Sequence, residues 1–292
     1  MRKEFVKTLK SILYKDTSSV LLLGDIGVFG FREELKTLPD RVYNIGILEQ
    51  STISLAAGMS KNGLIPFVHT IAPFMVERAL EQLKIDFGYQ ELGGNIVSIG
   101  NSYDYASLGA THHCPADIQV LQSIPNINIF TPGTSNELNH LITANYNNGK
   151  LNYYRLSEFE NSQSNISENK KATVIKKGSL ATIIVVGNML DNVVNACKNI
   201  DVTILYYNTV TPFDSKTLIE NFNKQIIVCQ PFYSGSIDTL ITDSLDSKFY
   251  NIFNIGIPKQ FIHNYGSKEE HDFHLKLDET GINTSIKQKL NI

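Results

Sequence analysis

The stretch Ile45-Gly46-Ile47-Leu48-Glu49-Gln50 separates a short apolar run from a helix-forming segment of small and apolar residues. Gly46 allows the chain to turn out of a strand predicted to end at Asn44. Glu49 then lies in the first turn of a helix that packs into the core. A carboxylate there can simply offset the helix dipole, which contributes about 0.3–1 kcal/mol. It can also be functional, and other parts of the chain favour that interpretation.

Composition indicates an ordinary globular chain with room for two domains. The chain has 292 residues, of which 42% are hydrophobic and 19% charged, and its net charge is −3. This near-neutral balance argues against a nucleic-acid partner or a membrane surface. We find no signal sequence and no apolar run long enough to cross a bilayer. Three widely spaced cysteines form neither a disulfide framework nor a zinc pattern, so we expect a cytoplasmic protein.

Alternation of buried strands and helices predicts an α/β fold with two doubly wound domains. The first domain, residues 1–160, has predicted strands at 20–23, 41–43, 65–68, 96–99, 128–130 and 152–156, and helices at 1–18, 73–89 and 135–146. Residues 161–171 are polar without periodicity, which indicates a linker over 161–178. The second domain, residues 179–292, has predicted strands at 180–186, 202–206, 225–229 and 250–255, and helices at 190–198, 214–222 and 236–246.

Polar residues follow several strands of the first domain, at Asp25, Glu49, His69 and His112. The carboxyl ends of parallel strands form the edge where α/β sheets bind ligands. Simpler explanations exist, since Asp25 suits a turn and His69 suits a hydrogen-bonded core histidine. The chain lacks phosphate-binding glycine motifs, a nucleophile elbow and metal-ligand spacing, so no metal ligand is predicted.

Several motifs resemble those of transketolases and deoxyxylulose-phosphate synthases. The run 41–50 resembles the glutamate motif of their pyrimidine-binding domain, and 66–82 and 109–112 resemble the segments that follow it. Gly24-Asp25 matches the family's aspartate-led loop. Residues 211–214 and 255–258 resemble the transketolase carboxyl-terminal domain. The resemblance runs in order along essentially the whole chain.

This resemblance implies a thiamine diphosphate enzyme. Glu49 would hydrogen-bond the aminopyrimidine ring and activate the cofactor, and Phe74 would pack on that ring. Cofactor contacts are also implied for Ile47, Ile71 and Arg78. Ile71 replaces the second aromatic residue of the family's pyrimidine pocket, which alters the cofactor packing.

On the substrate side, His112 is the best candidate for a hydrogen bond to a substrate oxygen. Asp25 and His69 are second choices. The carboxyl-terminal domain offers no comparable site, and we interpret His271 and its neighbours His263 and His274 as solvated surface residues.

A GDG…N motif, with which this family binds the diphosphate through Mg²⁺, is absent from the chain. The chain therefore resembles the carboxyl-terminal half of a split transketolase. The resemblance implies a partner, an amino-terminal transketolase-like subunit that carries the GDG…N motif and most of the Mg²⁺ ligands. We expect a dimer of heterodimers.

Three departures from the family lie on the substrate side. Leu108 replaces an aspartate that contacts a sugar hydroxyl, and Glu158 stands where an arginine commonly binds the substrate phosphate. Val28 or Phe29 replaces a serine. Since a carboxylate repels a phosphate, these changes predict a substrate other than a simple sugar phosphate, unless Arg155 or Arg78 takes over.

We therefore predict a subunit of a transketolase-like enzyme that transfers a two-carbon ketol unit between a ketose donor and an aldehyde or ketone acceptor, with a substrate other than a simple sugar phosphate. An alternative within the same chemistry is a pyruvate-using enzyme, similar to a 2-oxo-acid dehydrogenase β subunit or a deoxyxylulose-phosphate synthase. An alternative of another class is a non-catalytic scaffold subunit that retains the fold.

Overall fold

A computed structural model describes residues 1–167, 170–246 and 248–292. Residues 168 and 169, which belong to the predicted linker 161–178, lie outside the described residues, as does residue 247.

The first half of the chain alternates strands with helices, as predicted. Its strands are β1 (Ser19–Leu23), β2 (Val42–Asn44), β3 (Ile65–Ile71), β4 (Gly94–Ile99), β5 (Asn128–Phe130) and β6 (Leu151–Arg155). Its α-helices are α1 (Arg2–Lys15), α2 (Glu34–Thr37), α3 (Glu49–Lys61), α4 (Ala72–Val76), α5 (Leu80–Gln82), α6 (Asp117–Leu121) and α7 (Ser135–Asn145). A π-helical segment spans Leu83–Tyr89 and a 3-10 turn spans Ala106–Leu108.

The second half continues the alternation. Its strands are β7 (Thr173–Lys176), β8 (Thr182–Val186), β9 (Thr203–Tyr207), β10 (Thr209–Thr211), β11 (Gln225–Tyr233) and β12 (Asn251–Ile257). Its α-helices are α8 (Leu190–Ala196), α9 (Ser215–Glu220), α10 (Asp238–Ser244), α11 (Lys268–Leu275) and α12 (Glu279–Leu290), and a 3-10 turn spans Gly187–Met189.

Within the described residues the strands form two sheets, in the orders β10-β5-β6-β4-β3-β1-β2 and β12-β11-β8-β9-β7. Every pairing is parallel except that of β10 with β5 and that of β7 with β9. These sheets, with helices on their faces, confirm the predicted fold class of two doubly wound α/β units.

The two antiparallel edge strands were not predicted. Strand β7 lies inside the predicted linker and pairs with β9. Strand β10 lies within the predicted second domain, yet it extends the first sheet by pairing with β5. Both strands are only three or four residues long, so they give little periodic signal. The domain limits themselves stay a prediction.

The predicted continuous helix over 73–89 is interrupted. Helix α4 ends at Val76, and the Arg78 N–H bonds the Pro73 carbonyl five residues earlier. The segment then continues as α5 and the π-helical Leu83–Tyr89. Val76, Ala79 and Leu83 are all buried in one core. Their spacing is the one that a regular helix places on a single face, so the interruption leaves the buried face unchanged.

Alternate residues of the first sheet face two different cores. Leu22, Val68 and Tyr153 face a cluster that also includes side chains of the second sheet, such as Val186. Their neighbours, including Leu21, pack against α1 and α7 on the other face. The shared cluster makes one continuous core between the two sheets.

The connection from β1 leads to the edge strand β2, and the chain then returns to β3 on the other side of β1. This reversal is the topological switch point, where open α/β sheets bind ligands at the carboxyl ends of their strands. The loop that carries Asp25, the turn before Glu49 and the start of α4 all lie at this edge.

Candidate active site

Glu49 is the first residue of α3, and its side chain is only 3% exposed. The turn before it depends on Gly46, whose φ of 82° is unfavourable for residues with a Cβ. Oε2 of Glu49 accepts a hydrogen bond from Nη1 of Arg78 at 2.7 Å. Oε1 is buried and has no hydrogen-bond partner among the described residues. One oxygen of a buried carboxylate therefore remains able to bind another group.

Arg78 connects Glu49 with Phe74. The Cζ atom of Arg78 lies 4.2 Å from the centroid of the Phe74 ring, which is half-buried on α4. Ile71 is buried at the end of β3, just before this helix, while Ile47 is 64% exposed. Of the predicted cofactor contacts, Glu49, Phe74 and Arg78 therefore form one cluster, and Arg78 covers the face of Phe74 in this conformation.

His112 joins the same cluster from the loop that follows β4. Its half-buried ring lies edge-on to Phe74, with the ring centroids 5.4 Å apart. Thr111 Oγ1 and His112 Nδ1 form a hydrogen bond of 2.9 Å. Three residues earlier, Gly109 has a φ of 72°. A residue with a Cβ would strain this turn, so the glycine helps to bring His112 to Phe74.

Asp25 lies in the loop after β1 and is exposed. Its carboxylate accepts a hydrogen bond from the Asn44 amide at 2.9 Å, and its N–H donates to the Asn44 amide oxygen at 3.0 Å. These two bonds join the ends of β1 and β2. A contact of Asp25 with substrate stays a prediction.

The structure corrects the substrate role predicted for His69. The ring is fully buried beneath the loop after β1 and lies 4.7 Å from the Phe5 ring. Nδ1 bonds the Val97 carbonyl at 2.8 Å. Burial lowers the pKa of His69 to about 4, so the ring is neutral at pH 7. With no exposed atom, His69 supports the sheet edge instead of contacting a substrate.

The substrate role predicted for Arg155 is also corrected. Arg155 is buried, and its Nε donates to Asp117 Oδ2 at 2.7 Å. Nη2 donates to Ser102 Oγ at 2.6 Å and to the Pro231 carbonyl at 3.2 Å. These bonds occupy the guanidinium between the two halves of the chain, so it is not available to a substrate phosphate.

Glu158 and Leu108, the two departures beside the predicted substrate position, are both exposed. The Glu158 N–H donates to Asp104 Oδ2 at 3.1 Å. Burial raises the pKa of Asp104 to about 6, against the opposing effect of the Arg155 charge. A substrate contact of Glu158 stays a prediction.

Two histidines next to the loop that carries His112 are buried, and their burial was not predicted. His113 and His271 lie with their ring centroids 5.9 Å apart. His271 is only 3% exposed, so its interpretation as a solvated residue is wrong. His263 and His274 are exposed. The sequence does contain one indication of this burial. Ser267 and Glu270 form a capping box, which marks the start of helix α11 and therefore predicts which of its residues face inward.

Within residues 1–167, 170–246 and 248–292, no three His, Cys, Asp or Glu side chains are grouped so that they could bind a metal ion. In the same residues, no helix combines the length and the apolar character needed to cross a membrane.

The family described as transketolase, pyrimidine binding domain, matches residues 1–158. The chain belongs to this transketolase family. The match covers more than half of the chain and includes every residue of the cluster around Glu49.

Curated relatives extend the similarity along the chain. An uncharacterized 33.6 kDa protein of the fasciation locus in Rhodococcoides fascians is 33% identical, over 97% of this chain and 92% of that protein. One of the subunits of the apulose-4-phosphate transketolase of Phocaeicola vulgatus is 27% identical, over 96% and 94%. The 1-deoxy-D-xylulose-5-phosphate synthase of Pseudoalteromonas translucida is 28% identical, over 88% of this chain and 43% of that longer protein.

A solved structure described as a split gene transketolase, an inactive β4 tetramer, has the same fold. Its TM-score is 0.85 at 21% identity, and the alignment covers 99% of this chain and 97% of the other. The family match and the relatives confirm the prediction of a transketolase-type subunit, and the structural likeness confirms the fold.

The residues present fit the pyrimidine end of thiamine diphosphate. The free Oε1 of Glu49 is a buried atom that a ring nitrogen can satisfy. The Phe74 ring has an aromatic face on which the pyrimidine can stack, and Ile71 provides an apolar side chain next to it. Because Arg78 covers Phe74 here, the arginine must move aside when a ring stacks on that face.

We predict that His69 makes the stability of the fold depend on pH. Its pKa is about 4 in the folded chain and 6.5 in the unfolded chain, so the unfolded state binds more protons between these values. The free energy of unfolding should therefore fall by about 3 kcal/mol as the pH is lowered from above 6.5 to 4. In H69N the amide can still bond Val97, and this part of the pH dependence should disappear. Urea unfolding at several pH values measures the free energy of unfolding of each protein, and H263N, a variant at an exposed histidine, is the control. If the free energy of unfolding of H69N varied with pH as steeply as that of the wild type, the prediction would be contradicted.

We predict that R78L destabilises the chain, because it leaves the buried Glu49 carboxylate without its charged partner. The expected loss is about 1–2 kcal/mol, less than for a fully buried pair because Arg78 is partly exposed. The double variant E49Q/R78L removes the charge as well and should recover part of this loss. Chemical denaturation of the wild type, E49Q, R78L and E49Q/R78L gives the coupling energy, and simple additivity would show that the ion pair contributes nothing.

Proposed function

We propose that this chain is the pyrimidine-binding subunit of a split, thiamine-diphosphate-dependent transketolase that transfers a two-carbon ketol unit from a ketose to an aldehyde or ketone. The observation that carries the proposal is the unpartnered, buried Oε1 of Glu49 beside Phe74. This oxygen lies at the switch point of the first sheet, where open α/β sheets bind ligands.

Each residue of the cluster has a role that its position allows. Bound thiamine diphosphate would supply the nucleophilic carbon that takes up the two-carbon unit. Glu49 would hold a proton between Oε1 and the pyrimidine ring nitrogen, and Phe74 would fix the plane of that ring. His112, which lies beside Phe74, would donate a hydrogen bond to a substrate oxygen.

A partner subunit would complete the site. Large apolar side chains are exposed around Glu49, on the preceding turn, on α3 and on the π-helical segment: Ile47, Leu48, Leu55, Ile85 and Tyr89. Such a group of residues is typical of a surface that another chain covers. We propose that the amino-terminal, GDG…N-bearing subunit binds here with its Mg²⁺ and diphosphate site, in a heterotetramer of two copies of each chain.

The three cysteines support an assembly in the cytoplasm. All three are free and buried, as in proteins of reducing compartments.

The residues on the predicted substrate side of the site support a substrate that lacks the terminal phosphate of an ordinary sugar phosphate. Both arginines considered as phosphate ligands are engaged, Arg155 with Asp117 and Arg78 with Glu49. Exposed Leu108 lies on the loop where the family places an aspartate. We propose a branched or differently activated sugar. The name of one relative specifies the sugar phosphate apulose 4-phosphate, so phosphorylated branched sugars belong in any test.

The first test is cofactor binding and turnover with the partner subunit. Thiamine diphosphate with Mg²⁺ should bind tightly, by calorimetry, to the mixture and weakly at best to this chain alone. In the mixture, E49Q should leave folding intact and lower turnover by more than about 100-fold, because an amide cannot pass the proton. The exposed Glu81 gives a matched control, E81Q. Turnover of E49Q near that of wild type would contradict the proposal.

A panel of donors tests the substrate prediction. We expect kcat/KM to be at least about tenfold higher for an unphosphorylated or branched ketose than for a simple pentose or hexose phosphate, since one missing charge contact is worth about 1.4 kcal/mol. In L108D, activity with the ordinary sugar phosphates should rise. If the wild type instead had a higher kcat/KM for the simple sugar phosphates, a cationic group other than Arg78 and Arg155 would have to bind the phosphate.

The same assay separates the alternatives. The similarity to a deoxyxylulose-phosphate synthase supports a pyruvate-using enzyme as the alternative. Release of CO₂ from pyruvate by this chain mixed with its partner subunit would favour that alternative. A scaffold role would be favoured if E49Q changed only the binding of the partner.

A further inference from the structure

The loop that follows β4 is closed at its base by two backbone hydrogen bonds. The Ser102 N–H donates to the Cys114 carbonyl at 3.3 Å, and the Cys114 N–H donates to the Ser102 carbonyl at 2.8 Å. Tyr105 lies near one end of this closed loop, and His112 lies near the other. One constrained loop therefore carries both side chains at the carboxyl edge of the first sheet.

The Tyr105 ring lies against the end of β4. A Cβ added to Gly100, the first residue after this strand, would collide with the Tyr105 ring. The ring therefore occupies the space directly over the strand end, where a glycine leaves room for it. This close approach to the backbone fixes where the aromatic side chain lies within the loop.

Tyr105 and Phe74 both contact His112. The Tyr105 ring lies edge-on to His112, with the centroids 6.5 Å apart and the ring planes inclined by 74°. His112 lies edge-on to Phe74 in the same way, at 5.4 Å. In the part of the chain that the structure describes, no ring contact joins Tyr105 to Phe74 directly. Tyr105 is thus next to the residue that would hold a substrate oxygen, and outside the cluster around Glu49.

The hydroxyl of Tyr105 is free to bind another group. The side chain is half-buried, and none of the described residues forms a hydrogen bond with its hydroxyl. By contrast, the hydroxyl of Tyr103, two residues earlier, donates to Asp272 Oδ1 at 2.5 Å. Burial raises the pKa of Tyr105, and the negative charge of Glu158 raises it further. The hydroxyl therefore keeps its proton at pH 7 and can donate a hydrogen bond.

The loop around Tyr105 presents uncharged side chains. Residues 105–112 include no Lys, Arg, Asp or Glu, and the exposed side chains among them are Ser107, Leu108, Ala110 and Thr111. A neutral hydroxyl group needs only a single hydrogen-bond partner, whereas a phosphate beside an aromatic ring needs a cation to offset its lost hydration. The surroundings of Tyr105 therefore suit a sugar hydroxyl group better than a phosphate.

We propose that Tyr105 contacts the substrate and determines specificity, with its hydroxyl donating a hydrogen bond to a sugar hydroxyl group next to the oxygen that His112 binds. The ligand class is the neutral polyhydroxy chain of a ketose. This inference rests on the function proposed above, because that function gives His112 the substrate. It goes further by naming the side chain that recognises the unphosphorylated part of the sugar.

The variant Y105F isolates the hydroxyl, because it removes one oxygen and leaves the ring against Gly100 and His112. Tyr14, on α1, is also partly exposed, so Y14F is the matched control. In the enzyme assembled with its partner, Y105F should lower kcat/KM for D-xylulose by roughly fivefold, the effect of one neutral hydrogen bond. Y14F should match the wild type, and thiamine diphosphate affinity should be the same in all three proteins.

Ketoses deoxygenated at one carbon at a time locate the contact. With the analogue that lacks the bonded hydroxyl group, Y105F and the wild type should be equally active, since neither can make the hydrogen bond. The proposal is overturned if Y105F is as active as Y14F on D-xylulose. It is also overturned if Y105F is impaired to the same extent with every analogue, as a disturbed loop would cause.

A second measurement needs no turnover. In the assembled enzyme with this chain labelled with 3-fluorotyrosine, addition of D-xylulose or D-fructose should shift the ¹⁹F resonance of Tyr105, assigned with Y105F. The resonance of Tyr14, assigned with Y14F, should stay in place. An unchanged Tyr105 resonance with both sugars, or equal shifts at both tyrosines, would overturn the proposal. If the wild-type assembly transfers no ketol unit, the proposed function fails, while the Tyr105 resonance still decides whether this side chain contacts the sugar.

Discussion

A carboxylate held out of water is the constraint around which the first half of this chain is built. Removing a charged group from water is costly unless it is paired. Arg78 satisfies one oxygen of Glu49 and leaves the other without a partner. The sharp turn at Gly46, the edge position of β2 and the start of α3 together hold the side chain there. An unsatisfied buried oxygen costs stability, and such costly groups are concentrated at functional sites.

The parts of this arrangement that depend on local pattern could be predicted. Apolar runs that end in Gly, Asp or His indicate buried parallel strands and the sheet edge where they finish. Glu49 at the head of a core-facing helix follows from the order of residues 45–50. The resemblance then supplied the roles of Phe74 and His112, which the structure brings together.

The parts that depend on contacts between residues far apart in the sequence could not be predicted. His69 and Arg155 are polar residues at strand ends, as functional residues are, but each is occupied by a group far along the chain. Val97 is 28 residues from His69, and Asp117 is 38 residues from Arg155. His271 is hidden in the same way, because its neighbours Tyr103 and His113 come from the other half of the chain. A single sequence shows which residues are polar, but not whether their hydrogen bonds are already made.

The short strand β10 has a consequence for how such an enzyme can be divided into separate chains. Thr209–Thr211 covers the edge of β5, so the first sheet is completed only by residues that follow the linker. A chain cut near residue 160 would expose that edge, and an open edge of a sheet pairs readily with other chains and promotes aggregation. It would also uncover the core that both sheets share. The two halves of the present chain are therefore coupled through one sheet and one core, and separating them would expose a strand edge and apolar surface together.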